Sequence, residues 1–349
     1  MSRNLAKLNL RNIIFLLLGT LFVLLLYFIL HNISYRKALY KTYTRVLYDH
    51  DNKTIITSKV SLKHLLAVSI DIAERGGVEL KAVRKLVDVQ KVRKGKSDPF
   101  YEGNVKSYCA MMYGFKKIHP EIKVISEKED CSKINLDDDQ LPRGENTEVK
   151  TMLESVDEKV LSEQIAVWVE PLDCFHEYKK NLLPCVATMV CVAVNGKPVI
   201  GVIHHPFQNL TVWGWVGHGI TSQLKIGKTF FKEWTTEPEI VVSRTEARLG
   251  ADFAARAFGG EETITLAGGE GFKLLQVLQG LVSAYIHLSF TKKWDICAGD
   301  ALLQTVGGNV TTLKGKPISY AASDDVDNKG GLLATLFKHD FFLDKFKNV

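Results

Sequence analysis

Residues 165–178 read Ile-Ala-Val-Trp-Val-Glu-Pro-Leu-Asp-Cys-Phe-His-Glu-Tyr, and this stretch decides the layout of the chain. Ile165 to Val169 is an apolar, β-branched run of strand type. It leads into Glu170-Pro171, where the proline removes a ladder donor and bends the chain. The bend sets Glu170 and Asp173 on either side of one turn, so both carboxylates can face the same cavity.

Downstream, Ala187–Val194 and Pro198–Ile203 are two β-branched runs about a turn that starts Asn195-Gly196, which predicts a hairpin. Thr211–Val216 predicts another strand. From Ile240 onward, strands such as Ile240-Val-Val alternate with helices at Lys273–Val282 and Asp295–Val306, a βα-type layer. Upstream, a helical pattern starts at Ser61, with Gly76-Gly77 as its stop. Lys91–Gly103 reads as a basic loop. A second helix is predicted over Val105–Lys117, ending before His119-Pro120. Ile122–Ser126 is a short strand, and Cys131–Asn146 an acidic, turn-rich excursion.

Ile13–Leu30 is an uncharged apolar run of 18 residues. At about 1.5 Å per residue it approaches the ~30 Å of a bilayer core. The expected organisation is a short tail (1–12), a transmembrane signal anchor (13–30) and a stem (31–57). An N-terminal α+β part (58–235) and a C-terminal α/β part (236–349) follow. Arg3, Lys7 and Arg11 precede the span and Arg36, Lys37, Lys41 and Arg45 follow it, so charge leaves the orientation undecided. Sequons at Asn32, Asn52, Asn209 and Asn309 permit glycosylation of a lumenal domain. The net charge of +6 suits an anionic ligand or surface. No basic run is interleaved with aromatics, so nucleic acid is not an expected partner. The six cysteines form no C-x-x-C pair, which argues against structural zinc, and their spacing places no disulfide. Cys191 and Cys297 read as small buried hydrophobes.

The chemistry-bearing residues are acidic. Glu127 follows a short strand, Glu170 and Asp173 flank the proline bend, and Asp295 starts a helix. Hard divalent cations take oxygen ligands of this kind. Carboxylates at strand ends are more often solvated surface groups, and spacing alone does not separate the two readings. Trp168–Tyr178, however, resembles the Asp-Pro-Ile/Leu-Asp-Gly/Ala-Thr signature of the inositol monophosphatase superfamily. Trp294-Asp-Ile-Cys-Ala-Gly299 resembles its second signature. Thr188–Pro198, Gly201–His204, Ala267–Gly269, Ile318–Tyr320 and Gly330–Ala334 extend the likeness over roughly residues 60–340.

The resemblance implies an αβαβα sandwich and Mg²⁺-dependent hydrolysis of 3'-phosphoadenosine 5'-phosphate to AMP, or of inositol monophosphates, by metal-activated water. It implies metal ligands at Glu127, Glu170, Asp173 and Asp295 and at the carbonyl of Leu172. Substrate contacts fall on Cys174, Ser243, Arg244, Gly268, Gly269 and Lys273. It also implies a lumenal domain in the Golgi or endoplasmic reticulum. A homodimer is left open. The partners are then a small anionic phosphate ester and the membrane.

Departures from the pattern keep a second reading open. Phe175 stands where the family has threonine, and Asn104 where it has an aspartate that helps position water. Lys128 replaces the second acid of a Glu-Glu pair, and Glu246 replaces a histidine, where an anion would repel substrate phosphate. A pseudophosphatase that binds metal, nucleotide or a partner without turnover is the alternative. His204 and His205 are strand neighbours that point to opposite faces, which argues against a shared metal. Trp294 reads as packing at a helix start. Gly268-Gly-Glu-Gly271 lacks dinucleotide spacing, but can seat an anion at the start of the Lys273 helix.

Overall fold

Alternate side chains of each central strand enter different cores, and that alternation builds the layers. A computed structural model describes residues 58–90, 98–134, 141–224, 237–347 and 349. The predicted anchor (13–30), the stem (31–57) and the Lys91–Lys96 run lie outside the described residues. Among the described residues no helix is long and apolar enough to cross a membrane.

A short strand, β1 (Lys59–Ser61), precedes helices α1 (Leu62–Gln90) and α2 (Pro99–Ile118). Strand β2 (Lys123–Ile125), helix α3 (Thr147–Met152) and strand β3 (Lys159–Leu161) follow. Next come β4 (Ile165–Asp173), α4 (Phe175–Lys179), β5 (Ala187–Val194), β6 (Lys197–His205), β7 (Leu210–Trp215) and β8 (Gly219–Ile220). They form a six-stranded sheet in the order β2-β4-β5-β6-β7-β8, antiparallel except for β2 with β4.

The second half holds β9 (Glu239–Ser243), α5 (Ala247–Phe258), β10 (Thr263–Ala267), α6 (Glu270–Leu278) and β11 (Ala284–His287). Then come β12 (Thr291–Lys292), α7 (Lys293–Thr305), β13 (Asn309–Thr311), β14 (Asp327–Asn328), β15 (Leu332–Thr335) and α8 (His339–Phe346). The five-stranded order is β10-β9-β11-β15-β13, with β10, β9 and β11 parallel and the rest antiparallel.

Along β4, Ile165, Val167 and Val169 pack with Leu65, Met111 and Phe115 of α1 and α2. Ala166 and Trp168 point the other way, against Leu274 of α6 and Ala298 of α7. On the second sheet, Val241 and Tyr285 face that same middle helical layer, while Ile240, Val242 and Ile286 face Phe258 of α5 and Phe342 of α8. The result is an αβαβα stack, as the resemblance implies.

Several expectations need correction. Gly76-Gly77 does not stop the first helix, which runs on to Gln90. A Cβ at Gly76 would lie 2.6 Å from the Met111 sulfur, and one at Gly77 2.6 Å from the His204 ring. The pair therefore marks close packing of α1 on α2 and β6, not a cap. The second helix starts at Pro99, six residues before the predicted Val105, because Asp98 caps it by accepting from Phe100 N and proline suits its first turn. Pro99–Gly103 is thus helix and not loop. Cys191 and Cys297 are not free hydrophobes: they form a disulfide that ties β5 to α7. Cys109–Cys131 and Cys174–Cys185 are also bonded.

Candidate active site

The site forms where β4 ends against the first turns of α6 and α7. The register of β4 on β5 shifts between Glu170 and Asp173, so the proline bend is a bulge. Bulges re-aim side chains, and here the Pro171 carbonyl turns out to accept from Ser107 Oγ of α2 at 2.7 Å. Cys174 follows in the left-handed region at φ 70° and is pinned to Cys185.

Asp173 is buried. Its Oδ1 accepts from Cys174 N at 2.9 Å and Glu270 N at 3.2 Å, and its Oδ2 from Gly271 N at 2.9 Å. The free amides and dipole at the start of α6 thus hold a protein carboxylate. The start of this helix, which by its sequence can seat an anion, seats an anion of the chain itself. Gly269, at φ 76°, makes the approach: a Cβ on it would stand 2.9 Å from Asp173 Oδ2.

Glu170 Oε1 accepts from Leu172 N at 3.1 Å, and the Glu170 charge acts on Asp295. Burial pushes Glu170 up to about 7, with Glu127 and Glu270 adding repulsion. Burial, and then Glu170 and Glu270, likewise hold Asp295 well above the usual carboxylate range. Glu127 is exposed, yet its charge reaches Glu170. A donor set made only of carboxylate and carbonyl oxygens fits Mg²⁺. Among the described residues, the one triple of candidate ligand atoms within 4.8 Å of one another is Cys174, Glu177 and Cys185. Its sulfurs are used by the disulfide, so it holds no metal. The carboxylates are more widely set, which suits an ion that keeps several waters.

Across from them, Lys273 is fully buried. It donates to Ser243 Oγ and, at 3.0 Å, to Glu270 Oε1, and lies 4.6 Å over the Tyr285 ring. Burial alone would lower its pKa, but Glu270 and Tyr285 reverse that and keep it charged. Ser243 Oγ also bonds His287 Nδ1 at 3.1 Å. Glu246 does not face this space as a loose anion. It is buried and accepts from Leu288 N at 3.0 Å and Ser289 N at 2.9 Å. Arg244 pairs with Glu177, whose carboxylate rests on Gly268.

The two altered positions are apart from this cluster's bonding. Asn104 Nδ2 donates weakly, at 3.4 Å, to Glu129 Oε1, while Tyr101 Oη donates to Glu129 Oε2 at 2.6 Å. The Phe175 ring packs with Leu172, Cys174, Tyr178 and Cys185. Lys128 is exposed. His204 and His205 bond Thr211 and the Val186 carbonyl, in keeping with two strand faces and no shared metal. Trp294 is buried in the core at the start of α7. A cavity of about 400 Å³ lies beside the Cys109–Cys131 bond and reaches Glu129, but none of the predicted ligands lines it. Sequence reasoning missed Glu270 as part of the acidic cluster. Its position after two glycines at a helix start was the available signal.

Residues 61–344 match the inositol monophosphatase family model. The chain belongs to the inositol monophosphatase family. It is 38% identical over 296 residues to the putative inositol monophosphatase 3 of Drosophila melanogaster, covering 82% of each chain. It is 40% identical over 291 residues to the Golgi-resident adenosine 3',5'-bisphosphate 3'-phosphatase of Homo sapiens, covering 79% of this chain and 78% of that one. Its fold matches the inositol monophosphatase of Anabaena with a TM-score of 0.57 at 20% identity, over 82% of this chain and 97% of the other.

Proposed function

We propose that this family member is a Mg²⁺-dependent phosphomonoesterase acting on a small phosphate ester, an inositol monophosphate or adenosine 3',5'-bisphosphate. The observation that carries it is the strand bulge that sets Glu170 beside a buried Asp173, with Asp295 in the first turn of α7 and acted on by both their charges. Bound Mg²⁺ supplies positive charge where negative charge develops on the phosphoryl oxygens. The chain's own residues hold that ion, orient the ester and exclude water behind it. Asp173 is fixed by three backbone amides and cannot swing, and Glu127, Glu170, Asp295 and the Leu172 carbonyl complete the oxygen set. Ser243, Arg244, Cys174 and the Gly268-Gly269 backbone border the ester. Lys273 sits beneath them and sets their charge.

Turnover is attenuated, because Phe175 has no hydroxyl to orient water and the Asn104 amide is no base. Those same two residues favour the second reading, a binding protein without turnover. Residues 13–30 anchor the chain, and the catalytic part lies in the Golgi lumen. Three disulfides with no free cysteine among the described residues support an oxidising compartment, and so does the Golgi-resident relative. Phosphate release by the full chain in detergent, with and without Mg²⁺, tests the activity. Release that needs Mg²⁺ supports it, and metal binding with no release favours the binding protein.

A further inference from the structure

We infer that Glu270 is a specificity-determining residue that directs this site to a hydroxyl-rich ester carrying a single phosphate, in preference to a nucleoside bisphosphate. The inference rests on the phosphomonoesterase reading. Two cations stand on the substrate side, and this chain's own carboxylates hold both. Lys273 is bonded to Glu270 and buried beneath it, while Arg244 is bonded to Glu177. The Glu270 side chain keeps 21% of its exposure and that of Lys273 only 1%, so the wall presents a carboxylate and withholds the ammonium. Glu270 also lies against the acidic cluster. Its amide binds Asp173, and its charge is felt by Asp173, Glu170 and Asp295.

An ester with one phosphate places its charge on the cation held by those acids. Its hydroxyls can then donate to Glu270, which accepts without needing a counter-charge. A second phosphate on the same ligand would meet the Glu270 carboxylate, with Lys273 withdrawn beneath it and Arg244 already bonded to Glu177. Like-charge juxtaposition of this kind discriminates between ligands even when both fit by shape.

The test compares inositol 1-phosphate with adenosine 3',5'-bisphosphate on the full chain, its Glu270→Gln variant and its Glu177→Gln variant, all with Mg²⁺. The parent should favour inositol 1-phosphate in kcat/KM by about tenfold or more, and Glu270→Gln should move that ratio toward the bisphosphate by about tenfold. Glu177→Gln, which frees exposed Arg244, should move it the same way and serves if Glu270→Gln does not fold. A parent that favours the bisphosphate, or variants that leave the ratio unchanged, would overturn the inference while leaving the phosphatase reading in place. If no phosphate is released, the phosphatase reading fails, and calorimetry of the two intact esters reads the same ratio as affinities. Binding of neither ester overturns both.

Discussion

Glu170 in β4 and Asp295 in the first turn of α7 act on each other electrostatically, and burial holds both carboxyl groups above the usual carboxylate range. Mg²⁺ should therefore bind with release of protons, and bind more tightly as the pH rises through about 7, the value to which Glu170 is pushed. The sign follows from linkage. An acid whose folded pKa is raised holds its proton in the native state, so the metal-free protein loses stability as pH rises from about 4.5 to about 7. The gain in Tm from Mg²⁺ should accordingly be larger at pH 7.5 than at pH 5.5. Asp295→Asn should weaken Mg²⁺ roughly tenfold or more by calorimetry. An equal gain at both pH values would contradict the raised Glu170.

His204 and His205 act in the opposite direction. Burial pushes both down to about 4, so the native state keeps them neutral while the unfolded chain protonates near 6.5. Stability from this source is complete above about 6.5 and falls as the pH drops toward about 4. The slope is at most about 1.4 kcal/mol per pH unit for each histidine. His205→Gln should flatten the fall in Tm between pH 6.5 and 5 relative to the parent, whatever its effect at pH 7.5.

The disulfide between Cys191 and Cys297 closes a loop of 106 residues and joins the first sheet to the helix that carries Asp295. Replacing both cysteines with alanine should cost about 2–4 kcal/mol in denaturant unfolding. The loss should also appear as weaker Mg²⁺ binding, since Asp295 stands two residues before Cys297. Alkylation of the unreduced, denatured chain should label none of the six cysteines.

Much of the fold was legible from periodicity. The β5–β6 hairpin follows from Asn195-Gly196 between β-branched runs, and β4 from Ile165–Val169. Gly76-Gly77 misled, because a glycine pair that admits a neighbouring helix and a histidine ring looks, in one dimension, like a stop. The start of α2 was missed because the cap, Asp98-Pro99, lay at the edge of a basic run. The acids at Glu170, Asp173 and Asp295 could be named from motif. The seating of Asp173 on α6 and the pairing of Lys273 with Glu270 could not, since both join segments about 100 residues apart or turn on a rotamer. Disulfide partners are non-local in the same way, and spacing cannot choose among them.

Both remaining sequons that the structure describes, Asn209 and Asn309, are exposed. A lumenal domain should therefore shift in gel mobility on glycosidase treatment, and it should resist protease in sealed vesicles. Full digestion in intact vesicles would contradict the lumenal placement.

Hydrolysis by this chain should be slow, Mg²⁺-dependent and limited by the water site. It is tested most directly by single-turnover phosphate release from inositol 1-phosphate and adenosine 3',5'-bisphosphate, for the parent and for Phe175→Thr with Asn104→Asp. A missing water-orienting group commonly costs about 10²–10⁴ in rate. The parent should be slow and abolished by chelation, and the double variant at least about 10²-fold faster, with neither single change doing as much. A double variant that folds, binds Mg²⁺ and releases phosphate no faster than the parent, or a parent that is already fast, would contradict it.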